Sequence, residues 1–280
     1  MNHEPYLIKA IKASVEAGNA IVDVYHSNFA VEYKTDSSPL TLADKRSHEI
    51  ITKNLAEFNI PVLSEEGKNI SFIERKSWKR LWIVDPLDGT KEFIKRNGEF
   101  TVNIALVEDG NAVLGVIFIP VKSTLYFGAR NFGAFKLENG LLHDLLRSQP
   151  KVRDKASFLK QLLAHSAQLP LSQSPRAALT IVGSRSHATP ELEAYVERKR
   201  QEVGNVEFIS AGSSLKFCLV AEGNADIYPK LGPTMEWDTA AGQVIAENAG
   251  AQVVQYDSGE PLVYNKEDLL NPWHIVKRAQ

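Results

Sequence analysis

Apolar residues recur at helical spacing from the start of the chain. Ile8, Ile11, Val15, Val22 and Tyr25 lie three, four and seven positions apart, so they share one stripe of a helix predicted over roughly residues 5–28. A second amphipathic helix is predicted over Thr41–Phe58, with Leu42, Ile50, Ile51, Leu55 and Phe58 apolar and Asp44 near its first turn. Beyond it the period changes to that of extended chain. Trp82–Val84, Thr101–Val107, Ala112–Ile119, Thr124–Phe127 and Ala134–Leu137 are short β-rich runs divided by turn signals such as Asp109-Gly110, and they predict an antiparallel meander. The longest apolar run, Ala112–Val121, is about half the ~20 residues that cross a bilayer and holds Gly115 and Pro120, so it reads as a buried strand. Gly140–Pro175 is rich in Leu, Gln, Ser, Lys and Arg and is broken by Pro150, Pro170 and Pro175; it reads as a connection carrying an inserted helix. After it, strands at Leu179–Gly183, Glu207–Ser210 and Ala225–Tyr228 alternate with helices at Pro190–Val203 and Ser213–Glu222. No internal repeat, heptad run or low-complexity tract is present.

The length of 280 residues suffices for one large domain or two lobes with a sizeable core. With 44% hydrophobic residues and 17 Gly and 13 Pro spread along the chain, a disordered or fibrous protein is excluded. Lys and Arg number 32 against 34 Asp and Glu, and the net charge of −2 argues against a long polyanion such as duplex DNA as the main partner. A single cysteine, Cys218, permits neither an internal disulfide nor a cysteine zinc cluster, which fits a reducing compartment. Glu4, Lys9, Lys12 and Glu16 interrupt the N-terminal apolar residues, so a signal peptide is not expected.

The densest acidic constellation begins at Leu63-Ser64-Glu65-Glu66-Gly67 and resumes at Trp82-Ile83-Val84-Asp85-Pro86-Leu87-Asp88-Gly89-Thr90. Two apolar strands thus end in carboxylates, and Asp-Pro-Leu-Asp-Gly describes a tight turn whose oxygens can converge on a hard cation such as Mg²⁺. Taken singly, Asp88-Gly89 also fits an ordinary turn and Glu65-Glu66 a solvated loop. The acidic spacing excludes an EF-hand. Asp238, in Met235-Glu236-Trp237-Asp238-Thr239-Ala240-Ala241-Gly242, opens an apolar helix that ends near Asn248-Ala249-Gly250, where it serves either as a cap or as a ligand. Other motifs fail on spacing: Ser213-Ser214-Leu215-Lys216 lacks the partners of penicillin-binding enzymes, His48-Glu49 lacks the second histidine of a zincin, and no P-loop or dinucleotide fingerprint exists.

Ser64-Glu65-Glu66, Asp85-Pro86-Leu87-Asp88-Gly89-Thr90 and Trp237-Asp238-Thr239-Ala240-Ala241-Gly242 resemble the signature segments of the inositol monophosphatase-like, lithium-sensitive magnesium phosphatases, across nearly the whole chain. Within that superfamily, the segments from Lys91 to Asn103 and from Gly212 to Phe217 resemble the bacterial 3′(2′),5′-bisphosphate nucleotidases of the CysQ type.

The resemblance implies an α/β (α+β) fold, a layered αβαβα sandwich of two lobes in one domain. A metal-binding lobe would span residues 1–140, a connector longer than usual 141–178, and a nucleotide-binding lobe 179–280. It implies that Glu65, Asp85, the Leu87 carbonyl, Asp88 and Asp238 hold two or three Mg²⁺ ions, with inhibition by Li⁺. Asp44 and Thr90 would pair to orient and deprotonate the attacking water, with Glu65 also catalytic. Gly89 and Thr90 would donate N–H groups to the reacting phosphate. Arg185, His187, Ser213, Lys216 and Lys230 would face the nucleotide, Lys230 standing where relatives often carry arginine. The implied reaction is removal of the 3′-phosphate from adenosine 3′,5′-bisphosphate, with the sulfated form of that nucleotide as a further substrate. The implied setting is cytoplasmic, with a small-molecule nucleotide partner, no nucleic-acid polymer, no transmembrane segment, and peripheral association on the cytoplasmic side of the inner membrane. Three rivals remain: an inositol or sugar phosphatase of the same superfamily, a haloacid-dehalogenase phosphatase using a covalent aspartate, and a nucleotide sensor without turnover.

Overall fold

The strands between residues 80 and 137 are apolar on both faces, and the fold covers both. The computed structural model describes residues 3–27, 31–33, 39–138, 155–172, 177–185 and 189–279. A seven-stranded sheet runs in the order β3 (Val62–Ser64), β4 (Arg80–Asp88), β5 (Thr101–Glu108), β6 (Asn111–Ile119), β7 (Thr124–Ala129), β8 (Gly133–Leu137) and β9 (Ala167–Gln168). From β4 to β8 each strand pairs antiparallel with the next, which is the expected meander. Alternate residues then serve two cores. Trp82, Val84, Val102, Ile104, Leu106, Val116 and Phe118 pack beneath helices α1 (Glu4–Tyr25) and α2 (Leu42–Leu55), while Leu81, Ile83, Ala105, Val107, Ile117 and Ile119 face the other way.

That second face meets a middle helical layer, α7 (Leu215–Glu222) and α8 (Glu236–Asn248), on which the second sheet lies. Its five strands run in the order β11 (Val206–Ala211), β10 (Leu179–Ser184), β12 (Ile227–Lys230), β14 (His274–Arg278) and β13 (Ala251–Gln255). Val182, Tyr228, Val253 and Val276 point to the middle layer. Ile181 packs outward against Leu192, Tyr195 and Val196 of α6 (Pro190–Val203), giving five layers, α-β-α-β-α. A short antiparallel pair, β1 (Val31–Tyr33) with β2 (Pro39–Thr41), precedes α2. Short helices α3 (Phe72–Arg75) and α4 (Thr90–Ile94) flank β4.

The expected layered sandwich is the observed one, with two local differences. α5 (Lys155–Ala164) is the helix expected within the connector, but its Phe158 and Leu162 are buried in the core under α1, and the connector also supplies β9, which pairs with β8. The C-terminal pair β13–β14, absent from the sequence-based elements, is antiparallel and places β14 between β12 and β13. Residues 141–154 and 173–176 of the same connector lie outside those described. Among the described residues no helix is long and apolar enough to cross a membrane.

Gly115 seats α8 on the sheet: a Cβ there would overlap the Ala241 carbonyl of that helix. Gly115→Ala is therefore expected to lower unfolding stability by about 1–3 kcal/mol in urea denaturation. An unchanged midpoint would mean that α8 does not bear on β6 at this point.

Candidate active site

Three local features bring carboxylates together at one end of β4. First, β3 pairs parallel to β4, with Ser64 opposite Val84 and the Glu65 N–H donating to the Val84 carbonyl at 3.2 Å, so Glu65 and Asp85 emerge side by side. Second, the β4–β5 register slips: Asp85 faces Asn103 and Asp88 faces Thr101, so Pro86 and Leu87 oppose Val102 alone. Residues three apart on a regular strand point to opposite faces; one extra residue in a bulge turns Asp88 to the side of Asp85. Pro86 suits the bulge because it has no N–H to leave unpaired, and the Leu87 N–H closes on Asp85 Oδ1 at 3.2 Å. Third, α8 begins across the gap. Asp238 Oδ2 accepts the Met235 N–H at 2.8 Å, so this carboxylate caps its helix and still faces the other two. Capping and ligand roles are compatible in one residue.

One oxygen from each of Asp85, Asp88 and Asp238 lies within 4.8 Å of the others. That is close to the about 4.2 Å between opposite ligands of a hard cation at about 2.1 Å, and all three donors are oxygens, so the residues fit Mg²⁺. Burial pushes the Asp85 carboxyl well above its ordinary range, and the charges of Glu65, Asp88, Asp238 and Asp44 push it further. Burial and Asp88 lift Asp238 to about 7. Asp88 is also raised by burial, opposed by Lys216 and by hydrogen bonds from Asn103 and Ser214. A bare cluster of this kind holds protons that a cation would displace.

α2 is fastened to this strand end. Ser47 Oγ donates to the Pro86 carbonyl at 2.6 Å, and His48 Nδ1 lies 2.9 Å from Ser64 Oγ. Asp44, in the first turn of α2, is buried close enough to Asp85 for its charge to be felt there. Thr90 Oγ1 stands 3.5 Å from the Leu87 carbonyl.

The cluster lies in a cleft of about 330 Å³. Glu65, Asp85, Leu87, Asp88, Gly89 and Thr90 line it from the first sheet, and Ser213, Lys216, Lys230 and Asp238 line it from the second sheet and middle layer. Lys216 is buried, and desolvation lowers its amine to about 8; Nζ donates to the carbonyls of Ala211 and Ser213 and lies over the Tyr228 ring. Lys230 is likewise lowered by burial. Arg185 is placed differently from the other expected nucleotide contacts: its guanidinium forks onto Glu99 at the cleft's edge, Nε to Oε2 at 2.8 Å and Nη2 to Oε1 at 2.9 Å. His187 lies outside the described residues.

Sequence reasoning missed the support beneath Asp88. Its Oδ2 accepts the Ser214 N–H at 2.7 Å and the Asn103 amide at 3.2 Å, while Asn103 Oδ1 takes the Ser214 hydroxyl at 2.8 Å and lies 3.0 Å from Thr101 Oγ1. The signal available was Thr101 and Asn103 alternating on one face of an otherwise apolar strand.

Residues 2–277 match the model of the inositol monophosphatase family. The chain is 47% identical to a protein named 3′(2′),5′-bisphosphate nucleotidase CysQ from Salmonella typhimurium, over 91% of this chain and 93% of that one, and 45% identical to its Escherichia coli K12 counterpart over the same shares. The crystal structure of CysQ from Bacteroides thetaiotaomicron, a bacterial member of the inositol monophosphatase family, superposes with a TM-score of 0.87 at 49% identity, covering 99% of this chain and 98% of that one. Extragenic suppressor protein suhB from Bartonella henselae shares the fold, with a TM-score of 0.72 at 24% identity. The chain belongs to the inositol monophosphatase family. That family is metal-dependent, in keeping with the acidic cluster, and membership leaves no ground for a haloacid-dehalogenase reading.

Raised carboxylates mean that the metal-free folded state binds more protons than the unfolded chain, so stability is lost as pH rises through their folded values. Burial holds His274 near 4, so it adds the opposite slope only below about pH 6.5, and Lys216 does so only above about 8. In chelator, the melting temperature is expected to fall from about pH 6.5 to about pH 8 and to fall less in Asp238→Asn. A melting temperature that rises over this window would contradict the account.

Proposed function

We propose that the chain is a Mg²⁺-dependent phosphatase that converts adenosine 3′,5′-bisphosphate to AMP and phosphate, and that also accepts the sulfated form of that nucleotide. The observation that carries this reading is the two-sided cleft: Glu65, Asp85 and Asp88 reach it from the first sheet, and Asp238 with the buried amines of Lys216 and Lys230 from the other side. A substrate with a reacting phosphate and a second, non-reacting phosphate matches that division. Relatives at 45–47% identity carry the bisphosphate nucleotidase name, which supports the choice over an inositol or sugar phosphate.

Glu65, Asp85, the Leu87 carbonyl, Asp88 and Asp238 would hold two or three Mg²⁺ ions. When bound, such cations supply the Lewis acidity that neutralises phosphoryl oxygens and eases deprotonation of water. Asp44 and Thr90, with Glu65, orient the attacking water and accept its proton. Water oxygen bonds to phosphorus in line with the 3′ oxygen, the P–O3′ bond breaks, and the 3′ oxygen leaves to be protonated; no covalent enzyme intermediate forms. The N–H groups of Gly89 and Thr90 face the phosphoryl oxygens as charge shifts onto them. Lys216, Lys230 and Ser213 receive the second phosphate, Lys230 as a point charge rather than a bidentate donor. Li⁺ inhibits by competing for the carboxylate site. The setting is cytoplasmic with a small-molecule nucleotide partner.

A substrate panel tests this directly: with Mg²⁺, kcat/KM for adenosine 3′,5′-bisphosphate should exceed that for inositol 1-phosphate and fructose 1,6-bisphosphate, and Li⁺ should suppress it. Faster release from either sugar or inositol ester would overturn the assignment, and tight Mg²⁺-dependent binding without turnover would favour the sensor. Asp85→Asn should lower kcat by about 10³-fold or more while the far-UV spectrum is unchanged. Near-normal turnover in that variant would sink the ligand assignment.

A further inference from the structure

The turn that precedes α7 is held in an uncommon conformation. Ser213 has φ of +42°, a left-handed value that is strained for non-glycine residues and that persists only where neighbours over-determine it. The facing turn of the first sheet is also left-handed, at Gly89 with φ of +95°, and a Cβ on Gly89 would sit 2.9 Å from Ser213 Oγ. The two turns meet back to back at the mouth of the cleft.

Glu99, in the segment between α4 and β5, makes most of that constraint. Its Oε2 accepts the Gly212 N–H at 2.8 Å, and its backbone carbonyl accepts the Ser213 hydroxyl at 2.5 Å. Its two carboxylate oxygens also take the Arg185 fork, while Arg185 Nη2 donates to the Ser210 carbonyl at 2.8 Å. Arg185 therefore ties Glu99 to the end of β11, and Glu99 ties the first sheet to residues 212 and 213. One residue further, the Ser214 N–H is on Asp88, and Lys216 donates back to the Ser213 carbonyl. The Arg185 side chain is 45% exposed, so the ion pair contributes little to stability. Its bidentate geometry gives orientation instead.

We infer that Glu99 is a specificity-determining positioning residue, which sets the Ala211–Ser214 turn so that the second-phosphate side of the cleft is preformed, and that Arg185 acts through Glu99 rather than by touching substrate. The inference rests on the bisphosphate reading above. It differs from a direct phosphate clamp in the sign of one variant. If Arg185 bound the phosphate itself, freeing it from Glu99 would leave binding unchanged or improve it. If Arg185 serves Glu99, removing either partner harms binding alike.

The test compares wild type, Glu99→Gln, Arg185→Ala and the double variant on adenosine 3′,5′-bisphosphate, and Glu99→Gln also on adenosine 3′-monophosphate, which lacks the second phosphate. We expect KM for the bisphosphate to rise about tenfold in all three variants, with no further rise in the double one, and kcat to stay within about twofold. Glu99→Gln should leave KM for the monophosphate within about twofold. A KM that rises in Arg185→Ala but not in Glu99→Gln would overturn the inference in favour of a direct clamp, and equal losses on both substrates would reduce Glu99 to general support. Amide hydrogen exchange reads the same claim without substrate: residues 212–214 should exchange faster in Glu99→Gln and Arg185→Ala, with β4 and β5 unchanged. Unaltered exchange there would contradict the inference even if the bisphosphate proved not to be the substrate. Failure of the wild type to prefer the bisphosphate, with exchange altered as expected, would count against the substrate reading alone.

Discussion

Carboxylates repel, and burial makes the repulsion worse. Asp85, Asp88 and Asp238 are nonetheless held with oxygens inside a 4.8 Å span, with Glu65 and Asp44 close enough to add to the charge on Asp85. No attraction among these groups keeps them there; the surrounding layers do. Parallel pairing fixes Glu65 beside Asp85, the bulge at Pro86 turns Asp88 inward, and the cap of α8 fixes Asp238. The first two are backbone constraints, which protonation of a side chain does not release; the cap depends on the Asp238 carboxylate itself. The energy stored in the bare cluster is what makes it a receptor for cations.

The five-layer arrangement follows from the same need. A cluster assembled from both sides of a cleft demands that the first sheet and α8 stay in register, and the close approach at Gly115 sets their spacing. The buried network of Asp88, Asn103, Thr101 and Ser214 then carries that register to the turn before α7. Ser214 and Asn103 are 111 positions apart in the chain, so the second wall of the cleft is positioned by the first. The two lysines of the cleft are lowered by burial, and the charges of Asp88 and Asp238 oppose that lowering.

Much of this was legible in order of sequence distance. The helix of residues 4–25 and the meander of residues 80–137 are encoded by local periodicity, and their boundaries fall within a few residues of expectation. Asp85 and Asp88 stand out because they share one turn, and Glu65 and Asp238 because each opens or closes an element. The signature segments placed the fold. Long-range partners were not legible: β14 reaches its place between β12 and β13 only after the chain has gone past both, and its local pattern says nothing of that insertion. The Arg185–Glu99 pair shows the same limit, since its two members lie 86 positions apart.

The fold forces these carboxylates together, so that they hold protons when bare and yield them to a cation. Calorimetric titration of Mg²⁺ into metal-free protein near pH 7, repeated in buffers of different ionisation heat, counts those protons. The account predicts release of about one proton or more per chain, with both binding and release lost in Asp85→Asn. Mg²⁺ binding without proton release, or binding that survives replacement of Asp85, would contradict it.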